Sequence, residues 1–321
     1  SYYLGNCYLK KNNKRYALNS FNKAKDYNHD IFLKEDAYYK YIVLCFDLNW
    51  EFDDLYDDIL KYQTIFPDSD NSSVVNNLLL NYFTFTKDYE KALSVLKNRN
   101  FLNIEEKSAY QRMSFFLAKR YLNEYNFQKA KIYFLNSLKY DINKEYSAFA
   151  KYFLGDINYN LKDYEASISY YKDFLFSSSS YGVSEYEIAK YSLAHSYFKI
   201  KKYQPASNWF RKFISSYNQK DKFLNDAYLR LADSYFMLED YNRANKFYFE
   251  AERINLFDAD YAMFQQIKCH ELLSEFNYQK ETIENFLSTY NLRENNSIYL
   301  DDVIYNYAII NLLDNNIDKA I

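Results

Sequence analysis

Large aromatic side chains recur along the chain at a regular interval, in a series that we call the aromatic ladder. Its steps are 38, 37, 39, 38 and 37 residues, and Ile317 extends it by a further 39. Its members are Tyr89, Phe127, Tyr164, Tyr203, Tyr241 and Tyr278. A single-core domain does not need a large residue at such intervals, whereas a solenoid presents the same packing surface in every repeat. The ladder therefore predicts a repeat architecture whose function lies in a surface.

The pattern around each ladder residue predicts a helix–turn–helix unit. A small residue follows the ladder position by three in most repeats, as at Ala92, Ala130 and Ala206. A polar turn such as residues 86–88 precedes the ladder residue, and another apolar stretch with helical spacing lies upstream. Two antiparallel helices cannot bury their apolar faces alone, so successive pairs are expected to stack. We expect the ladder rings to hold each unit to the next.

Two more series share this period. A leucine followed by a small residue stands at 117–118, 154–155, 193–194 and 231–232. A second aromatic series occupies Phe134, Tyr171, Phe210, Tyr248 and Phe286. Together these positions resemble the tetratricopeptide repeat, whose pattern is W-x2-L-G-x2-Y, then A-x3-F, then P. The chain departs from that pattern at the Trp position, where Ser114 and Lys151 stand, and in its period of 38 residues.

This resemblance implies an all-α fold, a right-handed α-solenoid of antiparallel helix pairs with about eight repeats in a single domain. The first unit starts inside its first helix, and the last stops at Ala320 and Ile321 as its second helix begins. We therefore expect a fragment of a longer chain, truncated within a repeat at both ends. The predicted units are 1–28, 31–67, 70–100, 104–140, 143–178, 184–218, 222–254, 258–290 and 298–321.

The lengthened period also resembles the repeats of certain bacterial envelope proteins. These are the lipoprotein component of outer-membrane barrel assembly, the TolA-binding coordinator, and large tetratricopeptide lipoproteins linked to gliding and type IX secretion. The likeness implies a periplasmic or outer-membrane-associated location, with the cytoplasm as the alternative. It carries no functional residue over to this chain.

Composition agrees with a helical array and disfavours nucleic acid as a partner. The 321 residues include only 3 Gly and 2 Pro, and sheets and turn-rich folds need more of both at their bends. The net charge is −3, and short clusters such as Lys10 and Lys11 form no continuous basic stripe of the kind that phosphate binding needs. No run of about 18 apolar residues exists, so no membrane-spanning helix is predicted.

The residues that could carry catalysis or bind metal are scattered. Three glycines cannot build a phosphate-binding loop. The histidines and cysteines lack partners at chelating spacings, and they are His29, His195, His270, Cys7, Cys45 and Cys269. Acidic pairs such as Asp53-Asp54 and Asp57-Asp58 are expected on a solvated face. We predict no enzyme activity, no cofactor and no metal site.

The remaining candidate is the concave groove, which the first helix of each pair lines in tetratricopeptide folds. The residues predicted to face a partner there are Tyr39, Phe46, Asn77, Asn81, Phe115, Lys119, Tyr152, Tyr159, Tyr191, His195, Phe198, Asp233 and Phe236. The same spacing also places Val43, Thr84, Leu122, Asp156 and Leu229 on this face. Tyrosine and phenylalanine often dominate interface energetics, although some of these rings could instead pack on neighbouring helices. The Lys and Asn clamp with which some relatives hold a peptide carboxylate is not reproduced.

The leading functional hypothesis is a non-catalytic scaffold that binds a protein or peptide segment in this groove, in a bacterial envelope assembly or secretion complex. A peptide-responsive regulator is one alternative. The non-catalytic arm of a larger enzyme is another. Neighbouring domains in the full-length protein would separate the three.

Overall fold

The helices form where apolar residues recur at spacings of three and four. The computed structural model describes residues 1–49, 52–97, 102–292 and 295–313. Ile317, Ala320, Ile321 and the side chain of Asp53 lie outside the described residues. The helices are α1 (Tyr2–Lys10), α2 (Lys14–Ala24), α3 (Ile31–Leu48), α4 (Phe52–Ile65), α5 (Ser72–Thr86), α6 (Tyr89–Lys97), α7 (Ile104–Asn123), α8 (Phe127–Leu138), α9 (Lys144–Asn160), α10 (Tyr164–Leu175), α11 (Glu185–Lys199), α12 (Tyr203–Ser216), α13 (Lys222–Met237), α14 (Tyr241–Ile254), α15 (Ala259–Leu272), α16 (Phe276–Tyr290) and α17 (Leu300–Leu313).

The fold is all-α, a solenoid of helix pairs, as the sequence predicts. Helices that adjoin in sequence pack on each other, for example α1 on α2, α7 on α8 and α13 on α14. A 3₁₀ turn at Ser178–Ser180 and the short antiparallel strands β1 (Asn291–Leu292) and β2 (Asn295–Asn296) complete the described elements. The repeat-unit boundaries and the right-handed superhelix stay predictions.

Two compact units divide the chain, where the sequence predicts one array. The N-terminal unit is Ser1–Ser147 and the C-terminal unit is Ala148–Ile321. The members of the second aromatic series are all 0–1% exposed, with Phe134 in the N-terminal unit and the other four in the C-terminal unit: Tyr171, Phe210, Tyr248 and Phe286. Rings this large bury much apolar area, so each contributes strongly to the core of its pair.

Close contact between paired helices depends on a small residue opposite the core ring. Gly155 on α9 lies against the Tyr171 ring, and a Cβ atom there would come within 2.7 Å of Tyr171 Cδ1. Gly5 stands in the same relation to Phe21, at 2.8 Å. Contacts this short are closer than van der Waals packing allows, so these two pairs approach more closely than an alanine would permit.

The turns within the pairs share one backbone device. In seven of the pairs the residue two positions before the second helix is left-handed: Asn12, Lys87, Tyr125, Lys162, Lys201, Glu239 and Ser274, with φ between 54° and 63°. The next amide closes the turn by donating back to the helix, as from Asp163 N to Asn158 O at 2.8 Å and from Asp240 N to Tyr235 O at 3.0 Å. This is the Schellman arrangement, in which glycine usually takes the left-handed position. Here no glycine occupies it in any of these turns.

Five ladder residues begin their helices as predicted, and the sixth does not. Helix α16 begins at Phe276, two residues before Tyr278, because the left-handed residue of that turn is Ser274. Tyr278 is therefore inside the helix, 61% exposed, and stacks on His270 with ring centroids 5.8 Å apart.

Three of the ladder rings pack within their own pair, and contact with the next unit stays a prediction for them. Each packs edge to face on a ring of its own pair, five residues earlier. The pairs are Tyr159–Tyr164, Phe198–Tyr203 and Phe236–Tyr241, with ring centroids 5.4, 5.5 and 5.4 Å apart. The left-handed turn brings these positions together, so the rings close a pair on itself. The Tyr89 ring instead stacks on a ring of the following helix, at 5.9 Å from Phe116.

Candidate functional site

One position on the first helix of successive pairs alternates between two chemistries in the C-terminal unit. It holds Asp156, His195, Asp233 and His270, at steps of 39, 38 and 37 residues. The core ring that follows 15 or 16 residues later alternates in step, as Tyr171, Phe210, Tyr248 and Phe286. An aspartate thus always goes with a tyrosine, and a histidine with a phenylalanine.

Hydrogen bonding explains why aspartate and tyrosine occur together. The Tyr171 hydroxyl donates to Asp156 Oδ1, and the Tyr248 hydroxyl donates to Asp233 Oδ1 at 2.7 Å. A carboxylate removed from water needs such a donor, and phenylalanine cannot supply one. His195 instead rests edge to face on Phe210, with ring centroids 5.1 Å apart.

Helix α13 adds a line of charge on the same side. Asp226, Arg230 and Asp233 are spaced by four and three residues, which places them on one helical face. Arg230 donates from Nε to Asp226 Oδ1 at 3.2 Å and from Nη1 to Asp233 Oδ2 at 2.7 Å. One guanidinium therefore bridges two carboxylates.

Side chains from the neighbouring first helices complete the arrangement. From α11, the Tyr191 hydroxyl donates to Asp226 Oδ2 at 2.8 Å, and His195 Nε2 lies 2.7 Å from the same oxygen. From α15, the Tyr261 hydroxyl donates to Asp233 Oδ1 at 2.8 Å. We call the resulting surface the polar–aromatic face, and it consists of Asp156, Tyr191, His195, Asp226, Arg230, Asp233 and Tyr261.

Two carboxylates of this face, Asp226 and Asp156, have pKa values that are shifted in opposite directions. Burial alone would raise the pKa of Asp226, but hydrogen bonds and charge from His195, Arg230 and Tyr191 outweigh it and lower that pKa. Burial raises the pKa of Asp156 from its ordinary 3.8 to about 6, and only the Tyr171 hydrogen bond opposes the shift. Asp226 is thus a compensated anion, whereas Asp156 has no cation to compensate it.

A cavity of about 230 Å³ opens beside Asp156. Tyr159, Tyr171, Tyr191 and His195 line it beside the carboxylate. Burial raises the pKa of all three tyrosines, so their hydroxyls stay protonated at neutral pH. The cavity therefore combines aromatic faces with a single ionisable carboxyl group.

The N-terminal unit carries a separate polar depression of about 490 Å³. Asn77, Asn81, Glu105 and Arg112 lie along it, and the Asn77 amide donates to Glu105. Arg112 donates from Nη2 to Thr84 Oγ1 at 3.1 Å, while its buried Nε has no hydrogen-bond partner among the described residues. The sequence pattern singled out the two asparagines but not this arginine.

The thirteen residues predicted to line a groove fall into three groups. Two are exposed, Asn81 and Lys119. Eight are half-buried: Tyr39, Phe46, Asn77, Tyr159, Tyr191, His195, Phe198 and Phe236. Three are buried: Phe115 and Tyr152 in the core, and Asp233 among the side chains of the polar–aromatic face. The core ring of the same pair covers each of these three, as Phe134 does for Phe115 with centroids 5.6 Å apart. Contact with a partner stays a prediction for the whole set.

Sequence reasoning missed Asp226, Arg230 and Tyr261, which hold the polar–aromatic face together. The spacing of Asp226, Arg230 and Asp233 is a signal that could have revealed the first two, because opposite charges three and four apart pair on a helix. Tyr261 carries no such signal, because nothing in its neighbours along the chain distinguishes it from 38 other tyrosines.

The described residues contain neither a candidate membrane span nor a candidate metal cluster. None of their helices is both long and apolar enough to cross a bilayer. No three of their His, Cys, Asp or Glu side chains are grouped so as to hold a metal ion. No disulfide joins cysteines among the described residues, and burial raises the pKa of Cys269 to about 12.

One stretch of the chain matches a known family model. Residues 150–175, which cover most of α9 and all of α10, match the tetratricopeptide repeat. The match thus includes the Asp156–Tyr171 pair and Gly155. No curated protein matches the chain.

Several solved structures are similar at low identity. MamA is 17% identical over 56% of this chain and 92% of its own, with a TM-score of 0.47. YrrB, described as a tetratricopeptide protein with an unusual peptide-binding site, is 18% identical over 59% and 87%, with a TM-score of 0.45. The C-terminal part of a tetratricopeptide-containing protein from Cytophaga hutchinsonii is 15% identical over 94% and 98%, with a TM-score of 0.40. At these values the function has to be argued from the chain's own residues.

Proposed function

We propose that this chain is a non-catalytic protein–protein interaction scaffold that binds a partner segment along the polar–aromatic face. The observation that supports this most is that the side chains of the face fix one another in place. Arg230 is held by two carboxylates, and Asp226 by three donors. A surface ordered in advance loses little conformational entropy on binding. Tyrosine and arginine are also the residues on which interfaces most depend.

The aromatic residues next to the face extend it along the first helices. Tyr159, Phe198 and Phe236 are half-buried and are each steadied by a ladder ring of the same pair. Rings held in this way offer apolar area at low entropic cost. A partner segment lying across α9, α11 and α13 would meet one such ring per pair.

We place the scaffold in a bacterial cell-envelope assembly or secretion complex, in the periplasm or at the outer membrane. The support for this is the 38-residue period, which is similar to the lengthened repeats of envelope proteins. Fractionation of cells that express the full-length natural protein tests the location. Recovery in the cytoplasmic fraction would contradict it.

The binding surface can be tested by site-specific photo-crosslinking in the native cell. A photoreactive phenylalanine replaces Tyr159 on the proposed surface or, as a control, Tyr181, which is 83% exposed and lies between α10 and α11. We expect a discrete adduct from position 159 only. The adduct should disappear when Tyr191→Ala and Phe198→Ala are combined, and it should persist in Phe249→Ala, which removes a 49% exposed ring from α14.

Two outcomes would contradict the proposed surface. One is equal crosslinking from positions 159 and 181, and the other is an adduct that survives the double substitution. Tyr191→Phe guards against a trivial loss through unfolding, because it keeps the ring and removes only the hydrogen bond to Asp226. Far-UV circular dichroism of each variant reports whether the helices are retained.

A further inference from the structure

The Asp156 carboxylate beside the cavity has one oxygen without a hydrogen-bond donor among the described residues. The Tyr171 hydroxyl donates a hydrogen bond to Oδ1 of the carboxylate, and no hydrogen bond to Oδ2 exists among the described residues. None of the groups that influence the ionisation of Asp156 is a cation. A half-buried carboxylate in this state lacks the partner that buried charges normally have.

The aromatic residues that line the cavity also suit a positive charge, as the Asp156 carboxylate does. Tyr159, Tyr171 and Tyr191 line the cavity together with Asp156, and Asn160, Ser192 and His195 complete the lining. The face of an aromatic ring attracts a cation within about 6 Å of its centroid, and the attraction grows when water is excluded. The same protein already uses this contact elsewhere, since Arg243 lies 4.4 Å from the Tyr235 ring centroid.

We propose that this cavity binds the side-chain ammonium group of a lysine in the partner segment. The ammonium would donate to Asp156 Oδ2 while its methylene chain lies between the tyrosine rings. The inference rests on the proposed function in taking the partner to be a polypeptide. It adds the chemistry of one anchoring residue on that partner.

Geometry favours an ammonium over a guanidinium group. Only one oxygen of Asp156 is free, because Tyr171 holds the other, and a guanidinium binds best when it can donate to both oxygens in parallel. An ammonium is a point charge that needs only one strong acceptor. The volume of about 230 Å³ is below the range of about 300–1,000 Å³ that is usual for small-molecule sites, and it suits one side chain.

Binding should depend on pH through Asp156. The groups that face it are Tyr152 and Tyr159 from α9, Tyr171 from α10, and Tyr191 and His195 from α11, with Asp226 and Arg230 of α13 beyond them. The four tyrosines have raised pKa values and stay neutral. The pKa of Asp156 is about 6, so affinity should rise as the pH passes upward through that value.

The test uses the chain of residues 1–321 and three small probes, followed by NMR. The probes are the Nα-acetyl methylamides of lysine, norleucine and arginine, of which norleucine has a similar length without the charge. The protein has only three histidines, so the His195 imidazole signal reports on the cavity while those of His29 and His270 serve as internal references. We expect the lysine probe at millimolar concentration to shift the His195 signal saturably and to leave the other two unchanged.

Variants then test the role of the carboxylate. Asp156→Asn keeps the shape and an acceptor for Tyr171, and it should weaken lysine binding by about tenfold or more because it removes the charge. Asp173→Asn, on the exposed side of α10, should leave binding unchanged. Below a pH of about 6, binding to the wild-type chain should fall about tenfold per pH unit.

Four results would overturn the inference. They are no shift of the His195 signal with the lysine probe, an equal shift with norleucine, tighter binding of arginine than of lysine, and full binding by Asp156→Asn. The first and second do not involve a variant, so a folding defect cannot explain them. Loss of the crosslinked partner in Tyr191→Ala, Phe198→Ala together with no lysine binding would refute this inference alone and leave the proposed surface standing.

Discussion

Replacing Asp156 by asparagine should change how stability depends on pH, and the size of the effect follows from its surroundings. The folded protein raises the pKa of Asp156 from 3.8 to about 6, chiefly by burial. The folded state therefore holds this proton more tightly than the unfolded state does. Stability from this group is complete below a pH of about 3.8 and is lost as the pH rises through about 6.

The shift corresponds to about 3 kcal/mol, because one pKa unit is worth about 1.4 kcal/mol. Asparagine has no proton to lose, so Asp156→Asn should remove this pH dependence. Relative to the wild type, the variant should gain about 3 kcal/mol in the free energy of opening α9 and α10 between a pH of about 3.5 and one of about 7.5. Groups that titrate in both proteins, Asp226 among them, cancel in this difference.

Amide hydrogen exchange is the appropriate assay, because repeat arrays can unfold in parts and a global midpoint would mix them. Protection of the α9 and α10 amides in Asp156→Asn, divided by that in the wild type, should rise about 100-fold across the pH range. Asp173→Asn, an exposed carboxylate on the same helix pair, should show no such rise. A ratio that is the same at both pH values would refute a buried, uncompensated Asp156.

Three further substitutions test the packing, the turns and the charges. Gly155→Ala should destabilise the C-terminal unit by about 1–3 kcal/mol, because the new Cβ would lie 2.7 Å from the Tyr171 ring, and urea unfolding measures this loss. Glu239→Gly should stabilise it by about 0.5–1 kcal/mol, since φ at this residue is 61°, and Glu239→Ala should bring no gain in thermal midpoint. Arg230→Met should cost about 3 kcal/mol at neutral pH by leaving two carboxylates without their cation, and the cost should shrink in acid as Asp226 becomes protonated. An acid-independent cost would show that packing and not charge is responsible.

The helices and their order could be predicted because the same pattern of apolar and small residues recurs in each repeat. Apolar spacing and the small residues Gly155 and Ala232 indicated where two helices touch. Five of the six ladder residues begin helices. The exception, Tyr278, shows the limit of a periodic pattern. The position of its turn depends on which residue adopts the left-handed backbone conformation. That residue is Ser274, and a serine does not indicate this conformation in the sequence as a glycine would.

The site was harder to predict because it depends on contacts between helices that are far apart in sequence. Asp226 accepts a hydrogen bond from Tyr191, 35 residues away in the sequence, and Asp233 accepts one from Tyr261, 28 residues away. Periodicity predicted that Asp233 would face a partner. It did not predict that Asp233 would be buried with the Tyr248 hydroxyl of the opposite helix as its hydrogen-bond donor. A one-dimensional repeat pattern indicates which side of a helix a residue occupies, but not how deeply its neighbours cover it.

The left-handed turns also make the stability of this protein adjustable in small, separate steps. Lys162, Lys201 and Glu239 each take a backbone conformation that costs a side-chain-bearing residue about 1 kcal/mol. They belong to different helix pairs and share no partner, so glycine at one, two or three of them should add nearly independently. None of the three belongs to the polar–aromatic face. A graded set of such variants would therefore show how much stability this surface needs in order to bind, with its own chemistry left unaltered.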